Sequence, residues 1–297
     1  MICACIDIGS NTTRLLVAEP ADGRVRELLR QRAFTRIGKG LQRDDTIPPK
    51  KISEVVEVVA TQVRVARELG SETIRAVATA AIRDAANQEE LTGAIAERTG
   101  LEVAVLTDEE EARLAFVGAT SALDHPPDGD IAVVDVGGAS SEIAIGTIAG
   151  GVRASSSFRI GSGMLADSYL HSDPPSVSEL QQLRAHVSGT FEGFVLPIPE
   201  LAVAAGGSAS SLRRLVGTVL DHESLERGLR ILATTPSEQL ARMAELEPER
   251  VRLLPAGLLI LEEIADRLGR RLHVGRGGLR EGVIVDLLIA AGWGAAH

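Results

Sequence analysis

At 297 residues the chain exceeds what one hydrophobic core usually holds, and two domains of roughly 120–170 residues are the natural reading. A formal net charge of −10 and an aromatic content of 2% exclude a broad nucleic-acid face and a base-stacking platform, so any polyanionic substrate needs a local basic groove. No apolar run is long enough to cross a bilayer and Met1 leads straight into a strand pattern, so no membrane association and a cytoplasmic location are expected.

The first predicted strand, Ile2 to Ile8, carries the only two cysteines, Cys3 and Cys5, read as buried thiols because a bridge two residues apart would pinch the strand. It ends in Ile6-Asp7-Ile8-Gly9, and Arg14 to Ala18 returns as its hairpin partner. Ala21-Asp22-Gly23 marks a turn, after which residues 24 to 36 form an extended stretch thick with arginine (Arg24, Arg26, Arg30, Arg32, Arg36). Such a run suits an exposed strand face. Ile37-Gly38-Lys39-Gly40-Leu41 reads as a loop with a glycine-flanked lysine, either a rim contact for phosphate or an ordinary turn.

After Pro48-Pro49, apolar residues from Ile52 to Ala66 follow helical spacing and Gly70 stops the helix. Thr73 to Ala78 is the next strand, and Thr79 to Arg83 turns into a helix with Arg83 near its start. That arginine faces the ligand edge of an α/β sheet or is a surface residue. A short helix (89–99) and a strand (Leu101 to Leu106) follow. In Thr107-Asp108-Glu109-Glu110-Glu111, Asp108 reads as N-cap with Glu111 as its capping-box partner, which accounts for all three glutamates without chemistry. Residues 124–130 are the clearest linker, with His125 part of it. The expected domains are therefore 1–123 and 124–297, the last helix being free to pack back on the first.

The stretch IAVVDVGGASSEIAI (131–145) pairs a buried strand and a terminal carboxylate, Asp135, with the glycine turn Gly137-Gly138. Aligned 128 residues apart, Asp7 falls on Asp135, Gly9 on Gly137, Thr12 and Thr13 on Ser140 and Ser141, and Arg14 on Glu142. The repeat implies two similar hairpins facing one ligand across a cleft, one offering a cation to phosphate and the other an anion to metal. Ordinary Asp-Gly turns are the competing reading. Farther on, Ser176 caps a helix with Glu179, Leu201 to Ala205 is a buried strand, and Gly206-Gly207-Ser208 leads to a helix from Leu212. That junction offers N–H groups to an anion or packs a helix tightly on a strand. Residues 224–268 are helical with breaks at Pro236, Pro248 and Pro255, then a strand (Leu272 to Val274), a glycine-rich segment and a last helix.

These features resemble the actin, sugar-kinase and heat-shock ATPase superfamily. The ordered set ACIDIGSNTTRLLVAE, TAAIRDA, LTDEEEARLAFVGA, VVDVGGASSEIAIG, AAGGSASSL and GLREGVI is similar to the exopolyphosphatase/guanosine pentaphosphate phosphohydrolase (Ppx/GppA) family over nearly the whole chain. The resemblance implies an α/β fold of two ribonuclease H-like (actin-like ATPase) domains with an interdomain active-site cleft. It implies a catalytic set of Glu111 as general base, Asp7 orienting the water or a metal-bound water, and Arg83 near the phosphates. It further implies Mg²⁺ at Asp135 and Glu142, and phosphate contacts from Ser10, Asn11, Arg14, Gly137, Gly138, Ala139, Ser140, Gly207 and Ser208. Ala139 departs from the family's third glycine, Gly275-Arg276 replaces a segment that often holds Ser and Asp, and the helical domain of longer members is absent. Low processivity and a preference for short chains follow as expectations.

The leading reading is an exopolyphosphatase acting on inorganic polyphosphate. Guanosine pentaphosphate is the rival substrate, weakly disfavoured because no stacking aromatic is evident for a guanine. A small-molecule kinase and a non-catalytic polyphosphate or alarmone sensor are the other classes, and a homodimer is a possible assembly.

Overall fold

The computed structural model of the chain describes residues 1–40 and 44–294. The chain divides into two compact units, Met1–Ala122 with Gly277–His297, and Leu123–Arg276.

The first unit is built on β1 (Cys3–Ile8), β2 (Thr13–Ala21), β3 (Arg24–Ala33), β4 (Thr73–Ala78) and β5 (Val103–Val105), in the order β3-β2-β1-β4-β5. β1 to β3 form an antiparallel meander, and β4 and β5 extend it in parallel. Its helices, in chain order, are α1 (Ile37–Gly40), α2 (Pro49–Glu68), α3 (Ala80–Arg83), α4 (Gln88–Thr99) and α5 (Asp108–Thr120). Pro49 sits in the first turn of α2, where its missing N–H costs nothing, and Ile52, Val55, Val56, Val59, Val63 and Ala66 form its buried stripe. Cys3 and Cys5 are free thiols, fully buried on one face of β1.

Two local expectations are corrected here. Ile37 to Gly40 form a helical turn instead of a loop, with Leu41 outside the described residues. Gly38 donates its N–H to the Ser10 carbonyl (2.9 Å), and a Cβ on it would lie 2.2 Å from Ser10 Oγ, so it serves packing on the first hairpin. Arg83 lies at the end of the one-turn α3, not near a helix start.

The second unit repeats the plan. Its strands are β6 (Ile131–Val136), β7 (Ser141–Thr147), β8 (Gly151–Phe158), β9 (Leu201–Ala205), β10 (Val219–Leu220) and β11 (Leu272–Val274), ordered β10-β11-β9-β6-β7-β8. Around them lie α6 (Ser162–Tyr169), α7 (Val177–Thr190), α8 (Gly206–Val216), α9 (His222–Thr234), α10 (Ser237–Ala244), α11 (Pro248–Arg252) and α12 (Leu254–Leu268). Ser176 and Glu179 form the expected capping box of α7. Pro236 occupies the N-cap position of α10, while Pro248 and Pro255 lie in the first turns of α11 and α12, so the prolines mark helix starts. α12 is apolar nearly all round because it runs through the core of this unit. α8 starts at Gly206, six residues before the expected Leu212, so the glycine turn is itself the first helical turn.

The correspondence extends to irregularities. The β2–β3 ladder has a bulge between Val17 and Ala18, and the β7–β8 ladder has one between Ile145 and Gly146, again 128 residues on. Gly9 N–H donates to Thr12 O and Gly137 N–H to Ser140 O, both at 3.0 Å. A shared bulge and a shared turn bond are much harder to obtain by chance than two Asp-x-Gly triplets.

The chain then returns to the first unit as α13 (Leu279–Ala290). Leu279, Val283, Ile284 and Leu288 complete the core around Cys3, Cys5, Leu16, Ala18 and Leu114. α13 meets α5 backbone to backbone. A Cβ on Gly118 would lie 1.9 Å from the Gly278 carbonyl, and one on Gly282 would lie 2.0 Å from the Leu114 carbonyl. Among the described residues no helix is long and apolar enough to cross a membrane.

This contact sets opposite outcomes for one substitution at two sites. Gly93→Ala, in α4 where a Cβ meets nothing within 4 Å, should stabilise the chain by up to ~1 kcal/mol through helix propensity. Gly118→Ala should lose that gain to backbone overlap and destabilise by about 1–3 kcal/mol. Urea midpoints of the two variants at unchanged m-value check both.

Candidate active site

In the first unit the site begins at the mouth of the β1–β2 hairpin. Asp7 lies directly opposite Arg14 in the antiparallel register, so their side chains leave the same face. Arg14 is oriented by its Nε, which donates to Thr12 Oγ1 at 2.8 Å. Burial pushes the Asp7 carboxyl above its usual range, while Arg14 and Arg280 pull it back and Glu281 pushes it further. Ser10 and Asn11 form the turn, and their carbonyls accept from Gly38 and Arg36 N–H (2.9 and 3.0 Å). With those oxygens engaged, the turn is better suited to offer N–H and hydroxyl donors.

The second group in this unit lies where α3 meets the start of α5. Thr107, not Asp108, is the N-cap. Its hydroxyl accepts from Glu110 N–H (3.2 Å), and Glu110 accepts from Thr107 N–H (2.9 Å). The capping box is thus one residue earlier than expected, and Glu111 takes no part in it. Glu111 is instead buried, 9% exposed, and accepts from Arg83 Nη1 at 3.1 Å. Arg83 also donates to the Leu106 carbonyl (2.6 Å) and pairs with Asp108. A buried glutamate held by a guanidinium and excused from capping has the placement of a functional carboxylate.

In the second unit Asp135 lies directly opposite Glu142, the same register as Asp7 and Arg14 with the sign at the second position inverted. Glu142 is 3% exposed and accepts from Ser157 Oγ at 3.2 Å on the next strand. Gly206, at φ +79°, follows β9 beside Asp135. A Cβ there would lie 2.0 Å from Asp135 Oδ1, so the carboxylate fills space that only glycine leaves. Gly207 and Ser208 stand in the first turn of α8, where N–H groups favour an anion. Among the described residues the Ser208 hydroxyl has no hydrogen-bond partner; it is buried and packs toward Gly257 of α12.

The Gly137–Ser140 turn is braced by α6. Gly137 O accepts from the N–H and Oγ of Ser162 (2.9 and 3.1 Å), and Gly138 O from Gly163 and Met164 N–H (3.0 and 2.9 Å). Both oxygens have filled their two lone pairs, which removes the turn's negative edge. Ala139 is half-buried in this turn, and Ser140 is buried.

The donor set suits Mg²⁺. Two carboxylates on adjacent strands repel in the absence of a cation. Among the described residues no three His, Cys, Asp or Glu side chains cluster as a complete protein cage. Mg²⁺ characteristically takes one or two carboxylates and fills its octahedron with water and substrate phosphate. Asp135 and Glu142 are the residues that would hold it.

Four residues escaped sequence reasoning. Arg280 is buried (9% exposed) beside Asp7. Glu281 caps α13 through Gly278 N–H (2.9 Å) and binds Arg30 (2.7 Å). Asp108 pairs with Arg83, and Ser157 binds Glu142. An Arg-Glu pair flanked by glycines at a helix start was the available signal for the first two. Arg276, in the segment that departs from the family pattern, is exposed and pairs with Asp124 at 3.6 Å.

Residues 16–291 match the model of the Ppx/GppA phosphatase family. The chain is 29% identical to Exopolyphosphatase 2 of Mycobacterium tuberculosis, covering 95% of this chain and 96% of that protein. It superposes on the Aquifex aeolicus Ppx/GppA enzyme with a TM-score of 0.79 at 30% identity, covering 96% of this chain and 99% of the other. An exopolyphosphatase structure from Cytophaga hutchinsonii gives a TM-score of 0.84 at 20% identity over 98% of each chain, a likeness of fold alone. The architecture is accordingly the actin-like two-domain fold.

A half-buried aspartate whose carboxyl is held above its usual range costs stability once ionised. The folded state holds its proton to higher pH than the unfolded chain, so stability falls as pH rises from the ordinary aspartate value of 3.8 through the raised one. Asp7→Asn should therefore raise the melting temperature at pH 7, with the gain shrinking toward pH 4. A lower melting temperature for Asp7→Asn than for wild type at pH 7 would show that Arg14 and Arg280 outweigh the burial.

Proposed function

The chain belongs to the Ppx/GppA phosphatase family, and on that premise we propose that it is an exopolyphosphatase, removing the terminal phosphate of inorganic polyphosphate by Mg²⁺-dependent hydrolysis. As a phosphoanhydride hydrolase it must activate water, hold the terminal phosphoryl group and neutralise charge on the leaving chain. The single observation that carries the assignment of the base is the buried Glu111, left out of the capping box and held by Arg83.

In this reading each unit contributes groups of its own kind. Glu111 accepts the proton of the attacking water, and Arg83 is a positioning residue that fixes its carboxylate. Asp7 orients the same water. Arg14 and the N–H groups of the two hairpin turns and of the first turn of α8 bind the phosphoryl oxygens. Mg²⁺ held by Asp135 and Glu142 supplies Lewis-acid neutralisation of those oxygens when bound. Water is the acceptor, which separates this reading from a kinase on the same fold.

The aromatic inventory supports polyphosphate over guanosine pentaphosphate. Phe158, Phe191 and Phe194 pack on one another, Phe116 is buried, Tyr169 stacks on His186 and Trp293 packs against the core. The fifth phenylalanine, Phe34, is covered by Arg32. Each of these rings already has a neighbour on it, which is not how a stacking surface for guanine is built.

Phosphate release from tripolyphosphate, long polyphosphate and guanosine pentaphosphate, with Mg²⁺ and after chelation, tests the reading. Polyphosphate should be turned over and chelation should abolish release. Glu111→Gln should lower kcat by about 10²-fold or more. Glu110→Ala should keep the rate and lose about 0.5–1 kcal/mol of stability with its capping contact. Equal rates for Glu111→Gln and wild type would remove the base. Phosphate appearing on an acceptor would make the enzyme a kinase, and tight binding without release a sensor.

A further inference from the structure

We propose that Arg250 is a positioning residue for the first turn of α8, acting through Ser211 to strengthen the Ser208 N–H as a donor to phosphate. The proposal rests on the hydrolase reading above and deepens it.

α11 starts at Pro248, and Val251 seats it in the core of the second unit. Arg250, the residue before it, is only 4% exposed, which is rare for an arginine. Among its contacts, its Nε donates to Ser211 Oγ of α8 at 2.9 Å. The Ser211 hydroxyl donates in turn to the Gly207 carbonyl, four residues back, at 2.9 Å. Chemistry fixes the direction of this relay. A guanidinium carries donors alone, so the serine oxygen accepts from Arg250 and its hydrogen is left for Gly207.

The relay ends on the group that the proposed function gives to the substrate. The Gly207 carbonyl and the Ser208 N–H are the two ends of one peptide group, coupled by resonance. A hydrogen bond to the oxygen draws density from the nitrogen and makes the N–H a stronger donor. Linked hydrogen bonds polarise one another in this way where the local dielectric is low. Ser208 stands in the first turn of α8, where N–H groups have no partner within the helix and favour an anion. The charge of Arg250 is thereby carried to the helix N-terminus through a hydroxyl and a peptide.

The neighbouring serine shows what the arginine adds. Ser210 Oγ donates to Gly206 O at 2.7 Å, the same step along the helix, but Ser210 is exposed and water competes for its hydroxyl. A helical serine readily bonds the carbonyl four residues back, and by itself such a bond fills a local need. Ser211 differs in being buried, at 4% exposed, and in having its acceptor side taken by a charged group. A hydrogen bond from an ionised donor is roughly twice as strong as one between neutral groups, so this serine is both held and polarised.

Steady-state turnover of tripolyphosphate with Mg²⁺ by Arg250→Met, Ser211→Ala, their double variant and Ser210→Ala tests the relay. Ser211→Ala removes its middle, and KM should rise about three- to tenfold, the order of one hydrogen bond, with kcat within about twofold. Arg250→Met should raise KM about threefold, because the serine still donates but is no longer polarised. The double variant should raise KM no further than Ser211→Ala alone, since both changes act along one path. Ser210→Ala should keep KM within about twofold of wild type. A merely structural loss lowers the melting temperature and the active fraction, hence kcat, and leaves KM in place. Where Arg250→Met does not fold, Ser211→Ala against Ser210→Ala carries the test. An unchanged KM for Ser211→Ala, equal rises for the two serine variants, or additive rises in the double variant overturns the relay. A wild type that releases no phosphate overturns the hydrolase reading instead. Titration calorimetry with tripolyphosphate then decides the relay: Ser211→Ala weakens binding by the same factor if it stands, and unchanged binding, or none by wild type, overturns it.

Discussion

The antiparallel register at two hairpin mouths is the constraint on which the candidate site depends. In each unit a strand ends in aspartate, a turn follows, and the chain returns so that one particular residue stands opposite that aspartate. The ladder of backbone hydrogen bonds fixes this opposition, and a slip of one residue would send the second side chain to the other face. The turn bonds Gly9–Thr12 and Gly137–Ser140, and the matching bulges, hold both registers in place. Charge placement is therefore delegated to the backbone, which is the stiffest element available for it.

What surrounds the hairpins is arranged around close backbone approach. α1 docks on the Ser10 turn through Gly38, and Gly206 leaves room for the Asp135 carboxylate. α13 reaches β1 only because Gly118, Gly277 and Gly282 let it lie against α5. That approach brings Arg280 beside Asp7 and Glu281 to Arg30, so a helix from the end of the sequence tunes a carboxylate near its beginning. Packing and electrostatics are one arrangement here, since Gly282, which permits the contact from the α13 side, follows Arg280 and Glu281 in the same helical turn.

The duplication, the strands β4, β9 and β11 and the helix caps at Ser176 and Gly70 were legible because each rests on local chemistry: period, turn residues and propensity. Which glutamate completes the capping box was not. Thr107, Asp108, Glu110 and Glu111 satisfy two capping boxes one residue apart, and choosing between them depends on where the chain leaves extended backbone. Thr107 has ψ 167° and takes the cap, which releases Glu111 to Arg83. The early start of α8 was hidden for a related reason. Glycine is a poor helix former, so Gly206-Gly207 reads as a turn until the need for Asp135 to occupy the missing side-chain volume is known. Arg280 was invisible because its partner lies 273 positions away.

A single inverted position explains how one hairpin design can serve two kinds of ligand. Where the first unit has Arg14 the second has Glu142, while the aspartates, the turn glycines and the strand pairing are kept. With arginine, the aspartate gains a counter-charge, and the proposed function gives that arginine to phosphate. With glutamate, two carboxylates stand opposite each other, the pair to which the proposed function gives the metal, and Ser157 donates to Glu142 from the next strand. No change of backbone is required to move between the two, because opposite residues on a ladder meet whatever their chemistry. In the proposed reaction both kinds of partner have a part, and a duplicated hairpin with one inverted side chain is the smallest change that would supply them.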